Sequence, residues 1–131
     1  MNVDSSKIMI VDDEEEIREL FRDVLESRGY EVMACEDGQT AIETLKKTPV
    51  FAAFIDIRMP GISGVEILRE IKTIRPDTHA IMITGYTRDG AVAEALRLGC
   101  FVCMMKPFKI QDIIGLIEVL ETGLDTLAKA A

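Results

Sequence analysis

The chain has 131 residues, 48% hydrophobic and 29% charged, a soluble globular balance with room for one domain whose core needs no staples. A net charge of −8 works against binding a nucleic-acid phosphate backbone, and 5% aromatics without tryptophan supply no stacking platform for bases. No apolar run reaches the length of a membrane span, Met1–Ser6 lacks a signal-peptide pattern, and three cysteines in apolar surroundings (Cys35, Cys100, Cys103) point to a reducing, cytoplasmic compartment.

Lys7–Val11 (KIMIV) reads as a first strand. Ile17, Leu20, Phe21, Val24 and Leu25 then recur at helical spacing, and Gly29 stops that helix. Glu31–Cys35 (EVMAC) is a second strand. Asp37 is placed to cap a short helix carrying Ala41, Ile42 and Leu45, with Pro49 beyond its end. Val50–Ile55 is a third strand; it runs into Asp56 before Met59-Pro60-Gly61 stops it. Ser63-Gly64-Val65-Glu66 is a capping box that opens a helix with Ile67, Leu68, Ile71 and Ile74. Pro76-Asp77 turns the chain into a fourth strand, His79–Thr84. A weaker helix over about Arg88–Leu98 ends at Gly99, and Phe101–Met105 is the fifth strand. The last helix runs from about Ile110 to Leu127, with Ile113, Ile114, Ile117, Leu120 and Leu124 inward.

Five β-α repeats without a long linker imply an α/β fold whose parallel sheet is covered on both faces. Right-handed crossovers make the order 2-1-3-4-5 the simplest winding, a doubly wound, flavodoxin-like three-layer sandwich with five helices. Residues 1–131 are expected to form a single domain, with a core of about 7–122 and a tail or the start of a linker at 123–131. In such a fold ligands sit at the carboxyl ends of the strands where the winding reverses, here between the first and third strands.

The first strand ends in Asp12-Asp13 and the third in Asp56. As neighbours roughly 4.8 Å apart, these strands bring three carboxylates into that crevice. Left alone the acids would repel and raise one another's pKa values. A hard divalent cation resolves the conflict, and an oxygen-only site with open water positions suits Mg²⁺. The fourth strand contributes Thr84, followed by Gly85, and the fifth leads to Lys106-Pro107. A metal, a free carboxylate, a hydroxyl and an ammonium around one point suit phosphoryl transfer onto a carboxylate.

On these residues (Asp12-Asp13, Asp56 in DIRMPG, Thr84-Gly85 and Lys106-Pro107-Phe108) the chain resembles the receiver domain of two-component response regulators, over about Lys7 to Leu120. The resemblance implies a phosphorylation switch with Asp56 as phosphoacceptor. It implies Mg²⁺ held by Asp13, by Asp12 directly or through water, by Asp56 and by the backbone carbonyl of Arg58. Thr84 and Lys106 would contact the phosphoryl group, and the Lys106-Pro107 bond would be cis. The implied partners are a sensor histidine kinase or histidine phosphotransfer protein and a downstream output protein or domain. The face made by the fourth helix, fifth strand and fifth helix would carry the signal and could support a homodimer. The domain would catalyse only its own phosphorylation and hydrolysis. One departure stands out: the family's usual aromatic, three residues before the lysine, is Cys103 here. Phe101 is expected on the same side of that strand, and Tyr86, two after Thr84, is the other aromatic nearby.

Plainer readings compete at several positions. Asp56 could cap a helix, but Ser63 already serves the next one. Asp12 and Asp13 could serve the dipole of the first helix, a role that Glu14, Glu15 and Glu16 already fill. Cys100 and Cys103 spell C-x-x-C where a turn enters a strand, not at a helix start where a thiol would be activated, and with His79 alone there is no ligand set for zinc. A flavodoxin-like electron carrier would need a hydroxyl- and glycine-rich loop after the first strand, where this chain has Asp-Asp-Glu-Glu-Glu. A phosphohydrolase with an aspartate nucleophile typically has an acid two residues later, where this chain has Arg58. A receiver-like module that is never phosphorylated is the third alternative, against which the full set of acids, Thr84 and Lys106 argues.

Overall fold

The computed structural model describes residues 6–85 and 90–122. Five strands, β1 (Lys7–Val11), β2 (Glu31–Cys35), β3 (Ala52–Asp56), β4 (His79–Thr84) and β5 (Val102–Met105), form one parallel sheet in the order β2-β1-β3-β4-β5. Five helices alternate with them: α1 (Glu15–Glu26), α2 (Gly38–Lys47), α3 (Gly64–Ile74), α4 (Ala91–Arg97) and α5 (Ile110–Thr122). The expected winding is the observed one.

Strand alternation divides the core in two. Met9, Val11, Ala53, Ile55, Ala80 and Met82 face α2, α3 and α4 through Leu45, Ile67, Leu68, Ile71 and Ala95. Ile8, Ile10, Ala52, Phe54, Ile81 and Ile83 face α1 and α5 through Phe21, Leu25, Ile113 and Ile117. Because both faces are covered, the central strands are apolar at successive positions and only their ends are free to be polar. Local signals fix the helix ends. The Asp37 carboxylate accepts from the Thr40 N–H at 2.8 Å, and Ser63 with Glu66 forms the complete capping box.

Three boundaries differ from expectation. β3 starts at Ala52, later than the expected Val50, and it ends as expected in Asp56, which pairs with Ile83 as the last residue of the ladder. α4 begins after Gly90, whose left-handed φ of +80° is incompatible with helix. The anticipated start at Arg88 lies outside the described residues, as do Tyr86, Leu124, Leu127 and the 123–131 segment. Phe101 precedes β5 and packs with the α1–α5 cluster, whereas Cys103 packs with the opposite one, so the two do not share a face. The Phe101 ring lies edge-on to His79, off the strand's alternation.

Candidate functional site

The carboxyl ends of β1 and β3 put Asp12, Asp13 and Asp56 together, with ligand oxygens all within 4.8 Å of one another. Backbone geometry holds two of them. Asp12 Oδ1 accepts from the Glu14 N–H at 2.9 Å, and the Asp12 carbonyl accepts from Arg18 Nη1 at 2.9 Å. Asp56 Oδ1 accepts from the Arg58 N–H at 3.1 Å. Asp12 is 0% exposed and Asp56 4%, whereas Asp13 is open to solvent. Burial pushes the Asp12 carboxyl up to about 6, and the nearby Asp56 charge adds to that rise against the lowering effect of the Glu14 N–H. Burial likewise raises Asp56, opposed by the Arg58 N–H and Lys106.

The Lys106 ammonium enters from the end of β5. Its backbone N–H bonds the Thr84 carbonyl at 2.8 Å, which ties the lysine to the end of β4, and the Lys106-Pro107 bond is cis as expected. Nζ lies 2.7 Å from Glu14 Oε1, 3.3 Å from Asp56 Oδ2 and 3.4 Å from Asp12 Oδ2. Three carboxylates around one ammonium raise its pKa against the lowering effect of burial. Thr84 is fully buried at the same edge of the sheet.

The donor set fits a hard divalent cation. It is all oxygen, it carries more negative charge than one lysine balances, and Asp12 Oδ2 is buried without a hydrogen bond even though Nζ is 3.4 Å away. Asp12, Asp13, Asp56 and Lys106 thus meet as the sequence implied, with Thr84 at their rim and the Arg58 backbone against Asp56.

Two further residues bear on the site in ways their sequence context does not announce. Glu14 is expected to serve the α1 dipole, yet as the N-cap residue its side chain caps nothing and reaches Lys106 instead. Gly64 lies within the Ser63–Glu66 capping box. A Cβ there would lie 2.3 Å from the Asp56 carbonyl oxygen and 2.7 Å from Ile57 Cα, so α3 begins directly on the Asp56–Ile57 backbone. A glycine inside a helix's first turn, where it weakens the helix, was the available signal. The C-x-x-C thiols are free and 3.9 Å apart; burial and the neighbouring Cys103 push Cys100 up to about 12, and burial raises Cys103, so neither is activated.

Fold and pocket together define a doubly wound α/β domain with an acidic site at its topological switch point. The chain belongs to the response regulator receiver domain family, whose sequence profile matches residues 8–118. It is a phosphorylation-dependent switch of two-component signalling. Sporulation initiation phosphotransferase F of Bacillus subtilis is 32% identical over 83% of this chain and 88% of its own length. Chemotaxis protein CheY of the same organism is 32% identical over 86% and 94% respectively. By contrast the chain spans 24% of the length of the Escherichia coli regulatory protein AtoC, to which it is 31% identical over 86% of its residues. Among solved structures, a CheY-like receiver domain protein from Methanospirillum hungatei superposes with a TM-score of 0.85 at 29% identity, covering 98% of this chain and all of that one.

Proposed function

We propose that Asp56 is the phosphoacceptor of this switch, with Mg²⁺ held beside it by Asp12, Asp13, Asp56 and the Arg58 backbone carbonyl. The supporting observation is the convergence of three carboxylates within 4.8 Å, with Lys106 Nζ 3.3 Å from Asp56 Oδ2. Bound there, the cation supplies charge neutralisation for the acids and for phosphoryl oxygens. An Asp56 carboxylate oxygen forms the new bond to phosphorus as the bond from phosphorus to a donor imidazole nitrogen breaks, and the electron pair leaves with the imidazole. Lys106 neutralises phosphoryl charge, and the Thr84 hydroxyl donates to a phosphoryl oxygen.

The donor is a sensor histidine kinase or a histidine phosphotransfer protein in the cytoplasm. A groove of about 410 Å³ lined by Ile17, Leu20, Pro107 and Phe108 opens beside Lys106 and gives such a partner an approach. The output face is α4–β5–α5, on which Leu96, Met105 and Ile110 are the exposed large hydrophobics among the described residues; this face serves an output protein, an output domain or a second copy. The domain acts on no outside substrate beyond accepting and losing its phosphoryl group.

Acetyl phosphate with Mg²⁺ is expected to add one phosphoryl group to the wild type, read by intact-mass spectrometry, and none to Asp56→Asn. Equal labelling of the two proteins removes Asp56 from the role.

A further inference from the structure

We propose that Glu14 is a positioning residue for phosphoryl transfer, holding Lys106 toward the mouth of the site and so restraining acceptance by Asp56; this rests on the phosphoacceptor reading above. Of the three carboxylates around Nζ, Glu14 is the nearest at 2.7 Å, against 3.3 Å for Asp56 and 3.4 Å for Asp12. It is also the exposed one, with 58% of its side chain open to solvent against 6% for Asp56 and 0% for Asp12.

Its backbone is fixed. The Glu14 N–H bonds Asp12 Oδ1, and its carbonyl accepts from the Ile17 and Arg18 N–H groups. The side chain therefore leans across the crevice from a rigid base, and it makes no cap bond to α1 that would explain its direction. A phosphoryl group on Asp56 brings negative oxygens to the ammonium that Glu14 already engages. The two acids compete for one cation and repel each other at close range. Removing the Glu14 charge frees the lysine for the incoming group and lightens the field that an anionic donor must cross.

Wild type, Glu14→Gln, Glu14→Asp and Asp56→Asn are labelled with acetyl phosphate and Mg²⁺, and the rates are followed by intact mass. Glu14→Gln is expected to label about two- to fivefold faster than wild type, the span of one partly exposed ion pair. Glu14→Asp keeps the charge but is one methylene too short to hold the lysine, and is expected to label faster too. Equal or slower labelling of Glu14→Gln overturns the proposal. A Glu14→Asp rate equal to wild type overturns the lysine-holding role and leaves only charge at the mouth.

A second readout uses neither donor nor metal. The Lys106 side-chain ammonium resonance is expected to be protected from hydrogen exchange in metal-free wild type and to lose that protection in Glu14→Gln. An unchanged resonance overturns the proposal by itself. An unlabelled wild type, or a labelled Asp56→Asn, fails the phosphoacceptor reading instead, and the lysine comparison tells the two failures apart.

Discussion

Asp12 is where burial and charge conflict most sharply. Its carboxyl rises from 3.8 to about 6 because it is out of water beside another acid. A raised acid pKa means that the fold binds the proton more tightly than the unfolded chain does. The stability tied to that proton is complete below pH 4 and is lost as pH climbs through about 6. In metal-free protein the site is therefore expected to weaken the fold between those values, by up to about 3 kcal/mol for a shift of this size. Asp12→Asn should remove the Asp12 share of that decline and leave the share of Asp56, whose carboxyl burial also raises, and Mg²⁺ at neutral pH should oppose it, by about 2.7 kcal/mol at a hundred times its dissociation constant. Urea denaturation across this pH range, with and without Mg²⁺, measures both. A wild type indifferent to Mg²⁺ at pH 7 would count against the metal assignment. The acids were legible in the sequence because three carboxylates at strand ends have few structural uses. Glu14 was not, because an acid in the first turn of a helix has an ordinary explanation in the dipole, and only the direction of its side chain rules that out here.

At the scale of elements, two junctions bear on the site. α3 rests on β3 through Gly64, whose N–H bonds the Ile57 carbonyl at 3.0 Å. Gly64→Ala sets a methyl against backbone atoms that cannot rotate away. It is expected to destabilise the fold by about 1–3 kcal/mol and to slow labelling of Asp56 through a displaced strand end. An Ala variant with wild-type melting and wild-type rate would show that the junction yields freely. β5 is the second junction. Cys103 occupies the position where the family usually has an aromatic, and Phe101 packs on the opposite face, so neither supplies a long side chain that can swing beside Thr84. Phosphorylation is therefore expected to move the segment after Thr84 and α4 more than β5. Amide chemical shifts with and without beryllofluoride check this, and large shifts centred on Phe101–Cys103 with quiet neighbours of Thr84 would contradict it. Strand and helix identities were readable because each carries its own period and caps. The side on which Phe101 falls was not, since period-two alternation was extended one residue beyond the strand that enforces it.

The whole molecule is a rigid sheet with two separately filled faces and a polar rim at one end. Right-handed crossovers and continuous apolar strands made this winding the simplest one available, which is why topology was legible without a template. The rim is where that logic ends. Distances among Asp12, Asp56, Glu14 and Lys106 depend on how far each strand overruns its neighbour, and Asp56 is the last residue of the β3–β4 ladder. The central claim is that this rim accepts a phosphoryl group at one carboxylate. Its most direct test is to treat acetyl phosphate-labelled, Mg²⁺-loaded protein with borohydride, which reduces an acyl phosphate to an alcohol, and to sequence the peptides by mass spectrometry. Conversion of residue 56 alone from aspartate to homoserine is the expected result. Conversion at Asp12 or Asp13, or at no residue in labelled protein, would contradict it.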